Sequence, residues 1–275
     1  MSNKITVNWI RHSVSCNNIR PLWEFILRYR KSGDPNILQE NVLANIFLRK
    51  HLPVAVKKGE YIFCSELKRS VQTAILLFPE HFLNHKIKII PGINEKSFGL
   101  GNKKQKPDFL KSQLYKWMET CDNIPENKKL IVNYRPHHVE RLFDLLDKNN
   151  HFESVTKNSE DEDTIIPLLH KFMKILGIKT VNIVSHGKYI QNVIMTPKDI
   201  KTYENYLGIK NRPFNNQIIQ KKYNLQEDII TKTKTKPYRI GCTYSKKNQH
   251  IICFYNDKGY LKTMEQLSKK KNKEK

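Results

Sequence analysis

Four apolar runs in this sequence stop at groups that can do chemistry. "VNWIRHSVSCNN" ends in Arg11-His12, "EYIFCS" in Ser65 and "VNIVSHG" in Ser185-His186, while "KIKII" leads to Asn94-Glu95. A guanidinium holds anions and keeps its charge, and an imidazole moves protons or attacks as a nucleophile. A carboxyl group can act as a general acid. Any one of these ends could equally be a solvated strand terminus. If the strands lie side by side, the four ends surround one site.

The elements that would position them follow from periodicity. "KITVNWI" reads as a buried strand, "NNIRPLWEFILRYRKSG" as a helix ending at Gly33, and "NVLANIFLRKHL" as a second helix. "EYIFCS" is a short strand, and "ELKRSVQTAILLF" is a helix closed by Pro79. "KIKIIPGIN" is a strand running into a turn. Residues 103–163 are polar and lysine-rich, carry Pro107, Pro125, Pro136 and the run "SEDED", and read as a cap-like insertion. "TIIPLLHKFMKILG" is a helix with Gly177 as its C-cap, and "KTVNIVSHG" is a further strand. "NQIIQKKYNL" reads as an edge strand and "RIGCTYSKKNQHIICFYND" as a hairpin around Lys247-Asn248. Strands alternating with helices predict an α/β fold: a mainly parallel twisted sheet with helices on both faces. Ligands of such folds sit beyond the carboxyl ends of the strands, where the four polar ends fall. Residues 1–225 are expected to form the catalytic domain, and residues 226–275 a C-terminal β-hairpin extension with a basic tail.

The chain has 275 residues, of which 39% are hydrophobic, enough for a proper core. No apolar run reaches 18 residues, so no transmembrane helix is expected, and the N-terminus lacks the pattern of a signal peptide. The five cysteines, Cys16, Cys64, Cys121, Cys242 and Cys253, show no metal-ligand or CxxC spacing. Their scatter suggests a reducing, cytoplasmic compartment. Forty-nine Lys+Arg against 26 Asp+Glu give a formal charge of +23, a field that attracts anions. Much of that excess is lysine in a chain rich in Asn and Ile, a pattern that composition bias alone can produce. Nucleic acid would be bound only through general basic charge, since no nucleic-acid motif is present.

Taken in order, four segments resemble the histidine phosphatase superfamily, the branch that includes cofactor-dependent phosphoglycerate mutase. "RHSVSCNN" is similar to its R-H-G-x-S/T-x-x-N signature, and "CSELKRSVQTA" to its S-x-L-x-R-x-x-Q-T-A helix start. "NEKSFGLGN" resembles the segment with a catalytic glutamate, and "VNIVSHGKYIQNVI" the strand–HG–helix element. The resemblance covers roughly residues 4–222, with nothing from the insertion. It implies a phosphoglycerate mutase-like fold and phosphomonoester hydrolysis through a phosphohistidine on His12. By the same resemblance, Arg11, Asn18, Arg69 and His186 bind the phosphate, Glu95 gives the leaving group its proton, and neither cofactor nor metal takes part. The partner implied is a phosphorylated small metabolite or phosphoprotein. The alternatives are a phosphoglycerate mutase-type transfer and a catalytically impaired phosphate-binding pseudoenzyme.

Two departures matter. Ser13 stands in place of the signature glycine, which would strain the chain if its backbone is left-handed there. The insertion lacks the adjacent arginine pair typical of mutases, since Arg135 and Arg141 are apart, which favours a phosphatase. Of the remaining candidates, His137-His138 lacks ligand partners at suitable spacing and reads as surface or lid. Cys16 and Cys64 read as small buried residues near the pocket.

Overall fold

The computed structural model describes residues 4–15, 37, 40–90, 92–94, 106–122, 134–145, 162–201, 213–226, 229–232, 235–238, 240–245 and 250–255. The helix expected before Gly33 lies outside them. The main sheet is built from β1 (Lys4–Arg11), β2 (Tyr61–Cys64), β3 (Ile87–Ile89), β4 (Thr180–Ser185), β5 (Ile218–Gln226), β6 (Ile229–Lys232) and the short β7 (Lys236–Pro237). Its order is β3-β2-β4-β1-β5-β6, with β7 also on β5. The pairs β3–β2, β2–β4 and β4–β1 are parallel, and β5 runs antiparallel to β1. The α/β sheet is therefore mainly parallel, as expected. One expectation is corrected: β5 is not an edge strand, because β1 covers one side and β6 and β7 the other.

Side chains alternate along the strands, so each strand feeds two cores. Ile10, Ile62, Cys64, Val184 and Ile218 face one core. It is closed by α1 (Glu40–Lys50), α3 (Lys68–Leu77) and α5 (Pro107–Asp122). Trp9, Phe63, Val181, Ile183 and Ile219 face the other, closed by α7 (Glu162–Leu176) and the turns after β4. Helix α7 ends at Gly177, whose φ of 69° is the left-handed value a C-cap glycine supplies at no steric cost. Short helices α2 (Val54–Lys57), α4 (Pro79–Leu83) and α6 (Pro136–Glu140) complete the connections, with Pro79 and Pro136 each opening its helix.

Two buried polar devices hold the layers. On the first face Asn8 donates to Asn182 at 2.8 Å, and Gln220 donates to Asn8 at 3.0 Å. Asn182 in turn donates to the Val56 carbonyl at 2.9 Å. Gly59 makes room for this row, because a Cβ there would lie 2.5 Å from Asn182 Nδ2. On the second face Glu162 takes Lys221 at 2.7 Å and Lys232 at 2.9 Å and accepts from the Tyr223 hydroxyl at 2.7 Å. Lys221 and Glu162 are both buried, so each depends on the other for compensation.

The C-terminal hairpin pairs β8 (Ile240–Ser245) with β9 (His250–Tyr255) as a separate sheet. Its register opposes Cys242 to Cys253, and the two form a disulfide. Cysteine spacing alone gave no sign of this bond. The hairpin shares the first core through Ile240 and Ile251, and Tyr255 stacks on His51 at 3.6 Å between ring centroids. No helix among the described residues is long and apolar enough to cross a membrane.

Candidate active site

The parallel ladder continues past the strand ends and sets three polar residues abreast. His12 N–H donates to the Ser185 carbonyl at 2.9 Å, and Ser65 N–H to the Val184 carbonyl at 3.1 Å. His12 and His186 are thereby neighbours, with ring centroids 5.1 Å apart. Arg69 enters from the first turn of α3, which begins just after Ser65, and its Nε lies 3.3 Å from His12 Nε2. Arg11, the last residue of β1, crosses Gly187. A Cβ on Gly187 would lie 2.9 Å from Arg11 Nε, so the glycine after His186 is what lets that guanidinium through.

The ring of His12 is fixed from both sides. Nδ1 lies 2.7 Å from the Ser13 carbonyl, which can only accept, so Nδ1 carries the proton. Nε2 is left bare and accepts from Arg69. Burial, then Arg69 and Arg11, hold the imidazole well below its ordinary pKa, so it stays neutral with a lone pair on Nε2. His186 is neutral for the same first cause, burial, followed by Arg69, His12 and Arg11. Its Nε2 lies 2.6 Å from Ser65 Oγ, which also accepts the Leu67 N–H at 3.4 Å. The Ser65 contact fixes the orientation of the His186 ring. Nδ1 is buried and has no hydrogen-bond partner among the described residues.

Ser13 resolves differently from the strain its sequence position suggested. Among the described non-glycine residues only His85 and Asn216 take left-handed backbone, with φ of 57° each. Ser13 does not, so its side chain costs no backbone strain. Its N–H donates to Thr73 Oγ1 at 2.8 Å, and its hydroxyl donates to Asn45 at 3.0 Å and accepts from Asn216 at 2.9 Å. Asn215 donates to the His12 carbonyl at 2.9 Å, and Asn216 N–H to the Arg11 carbonyl at 2.9 Å. Residues 11–13 are thus clamped by side chains from α1, α3 and the entry to β5. Sequence reasoning missed Asn45, Thr73, Asn215 and Asn216. Only Thr73 lay in a quoted motif, and nothing local distinguishes the asparagines from turn residues.

Of the expected site residues, the structure brings together Arg11, His12, Arg69 and His186. Asn18, Glu95 and Cys16 lie outside the described residues. The chain leading to Glu95 is nevertheless anchored at this end of the sheet. Ser185 Oγ donates to the Ile93 carbonyl at 2.7 Å, and Asn94 donates to Glu66 at 3.1 Å. Cys64 is a free thiol, buried, and burial pushes its pKa up, which makes it inert as a nucleophile.

No family model matches the chain, and no curated protein matches it. Among solved structures it is similar to an α-ribazole phosphatase from Shigella flexneri, at 15% identity and a TM-score of 0.40, covering 82% of this chain and 94% of that one. It is similar to a mutant phosphoserine phosphatase from Entamoeba histolytica in complex with phosphoserine, at 16% identity and a TM-score of 0.37, covering 84% and 95%. It is also similar to a mycobacterial glucosyl-3-phosphoglycerate phosphatase, at 14% identity and a TM-score of 0.35, covering 85% and 96%. Likenesses this loose leave the chemistry to this chain's own residues: a neutral imidazole that accepts at Nε2, two guanidiniums and a second neutral imidazole at the mouth of one sheet.

Proposed function

We propose that the protein is a histidine phosphatase, a hydrolase of phosphoric monoesters that works through a phosphohistidine on His12. The observation that carries this reading is the buried, neutral His12 ring, with Nδ1 fixed on the Ser13 carbonyl and Nε2 against Arg69. A phosphoryl group in transfer spreads negative charge over its equatorial oxygens, and catalysis is largely positioning plus fixed positive charge. Arg11 and Arg69 supply that charge, with the neutral His186 ring beside them. Arg69 passes its Nε–H from His12 to a phosphate oxygen, which uncovers the lone pair.

Nε2 then attacks phosphorus, the N–P bond forms and the P–O bond to the alcohol breaks. The leaving alkoxide takes a proton from a general acid, the role that the resemblance gives Glu95. In the second step water attacks phosphorus and loses its proton to the same carboxylate. The N–P bond breaks, inorganic phosphate leaves and His12 is regenerated. Asn18 completes the phosphate pocket in this scheme.

The substrate is a phosphorylated small metabolite or phosphoprotein. The insertion supports the phosphatase over the mutase alternative, since Arg135 and Arg141 lie apart around α6. The pseudoenzyme alternative loses its main motive with the unstrained Ser13. The scattered cysteines are the argument for a cytoplasmic site of action, and the Cys242–Cys253 bond counts against it, because disulfides are rare in reducing compartments.

The test is hydrolysis of an aryl phosphate by the wild type and His12→Ala, in EDTA. Turnover by the wild type that falls at least about a thousandfold in the variant supports the reading, because a covalent nucleophile cannot be substituted by its neighbours. Equal rates in the two proteins overturn it.

A further inference from the structure

His137 and His138 gain a third partner in the fold. His85, in the turn between α4 and β3, meets them so that one ring nitrogen of each of the three lies within 4.8 Å of the others. Ring centroids are 5.5 Å apart for His85–His137, 5.1 Å for His85–His138 and 4.2 Å for His137–His138. We propose that these three histidines form a binding site for one divalent transition-metal ion of borderline softness, Zn²⁺ foremost, that staples the insertion to the edge of the sheet.

Several independent features converge on this. His85 Nδ1 is buried and has no hydrogen-bond partner among the described residues. His85 holds left-handed backbone, φ 57°, at the end of α4, where glycine or asparagine is the usual occupant. The chain thus accepts a conformational cost of about 1 kcal/mol to aim an imidazole there. His138 Nδ1 accepts the Arg135 N–H at 2.9 Å and also lies 3.0 Å from the Arg135 carbonyl, which fixes the ring at the start of α6. A neutral ring that accepts at Nδ1 carries its proton on Nε2, and a metal ion binding there displaces that proton. His137 is exposed, which leaves a coordination position for water.

Tetrahedral Zn²⁺ with bonds of about 2.0–2.1 Å needs ligand nitrogens about 3.3 Å apart, so the rings must close by a modest rotation. An all-imidazole set suits Zn²⁺, Cu²⁺ or Ni²⁺ and not Mg²⁺ or Ca²⁺, which take oxygen ligands. Two cations stand close by, Lys88 and Arg141, but both face Asp144, at 2.8 Å and 3.7 Å.

The position argues for a structural ion. His85 precedes β3 (Ile87–Ile89) and so lies at the amino end of a parallel strand, whereas His12 and His186 lie at carboxyl ends. His137 and His138 sit on α6, which leads directly into the turn Arg141–Phe143 packed beside β3. An ion here ties the insertion to the sheet without entering the phosphate site.

The experiment uses the full chain without an affinity tag, stripped with chelator and titrated calorimetrically with Zn²⁺. Co²⁺ absorption reports geometry, and thermal melts report the effect on stability. The expected result is one ion per chain, a raised melting temperature and the intense visible bands of four-coordinate Co²⁺. His85→Asn keeps the left-handed turn comfortable, so it should melt at or above the metal-free wild type. Its affinity for Zn²⁺, like that of His137→Ala, should fall about tenfold or more, since even supporting partners of a ligand are worth that much. Absence of stoichiometric binding by the wild type, or binding unchanged in His85→Asn, would overturn the proposal.

Discussion

Two groups of histidines lie at opposite ends of the same sheet, and they are built for opposite charges. At the carboxyl ends, His12 and His186 are buried beside Arg11 and Arg69. Each ring has one nitrogen fixed by Ser13 or Ser65, so the other is aimed. Such a site is short of negative charge and fits a phosphoryl group. At the amino end, His85, His137 and His138 bring ring nitrogens together, and the nearest cations are already turned to Asp144. That site is short of positive charge at its centre. The same side chain serves both ends, and the groups that fix its second nitrogen decide which ligand it suits.

The sharpest break between the two ends should come from Arg69→Gln. It removes the donor on His12 Nε2 and one positive group for the phosphoryl oxygens. Aryl phosphate kcat/KM should fall by about a hundredfold to a thousandfold, the cost of losing one oxyanion donor elsewhere. His137→Ala, measured in the same assay, should leave that rate unchanged.

A smaller effect is expected from Gly187→Ala. The added methyl meets Arg11 Nε at 2.9 Å, so the guanidinium must move, and kcat/KM should drop about tenfold or more with the fold intact by circular dichroism. Ser65→Ala leaves His186 Nε2 without its partner and frees the ring to turn. A loss of a few-fold to about tenfold in kcat/KM is expected, because the ring is no longer held in place beside the phosphate.

The pH dependence of stability follows from the buried state of His12 and His186. His12 and His186 have pKa values lowered by burial, so the unfolded chain binds more protons than the folded one in the interval below about pH 6.5. Stability should be fully present above that value and fall as the solution is acidified. Each of the two rings adds a slope of up to about 1.4 kcal/mol per pH unit until the folded pKa is reached. Denaturant melts from pH 7.5 to 5 check this. Inorganic phosphate, a stand-in for the transferred group, should raise stability in wild type and not in Arg69→Gln.

Much of this was legible in the sequence because the signals are local. Alternation in "VNWI" and "VNIV" gives the strands, and the polar residues that end them mark the carboxyl edge. Arg11, His12, Arg69 and His186 each sit at a strand end or in the helix turn that follows one, so the α/β rule alone brings them together. What stayed hidden depends on pairings between distant segments. The interior place of β5 is set by β6 and β7, which carry no stronger strand signal than an edge would. Asn215 and Asn216 look like turn residues, and only the fold shows that they hold the backbone of His12 and Ser13. The Cys242–Cys253 bond follows from hairpin register, which spacing does not give. His85 reaches His137 and His138 only because the insertion folds back beside β3.

The central claim is that His12 carries the phosphoryl group. The most direct measurement is rapid mixing of the protein with an aryl phosphate, denaturing quench at alkaline pH, and mass analysis of the peptide that contains residue 12. A phosphoryl adduct on His12 is expected, stable in base, lost in acid and absent from His12→Ala. Steady hydrolysis by the wild type with no such adduct, or with the adduct on another residue, would contradict it.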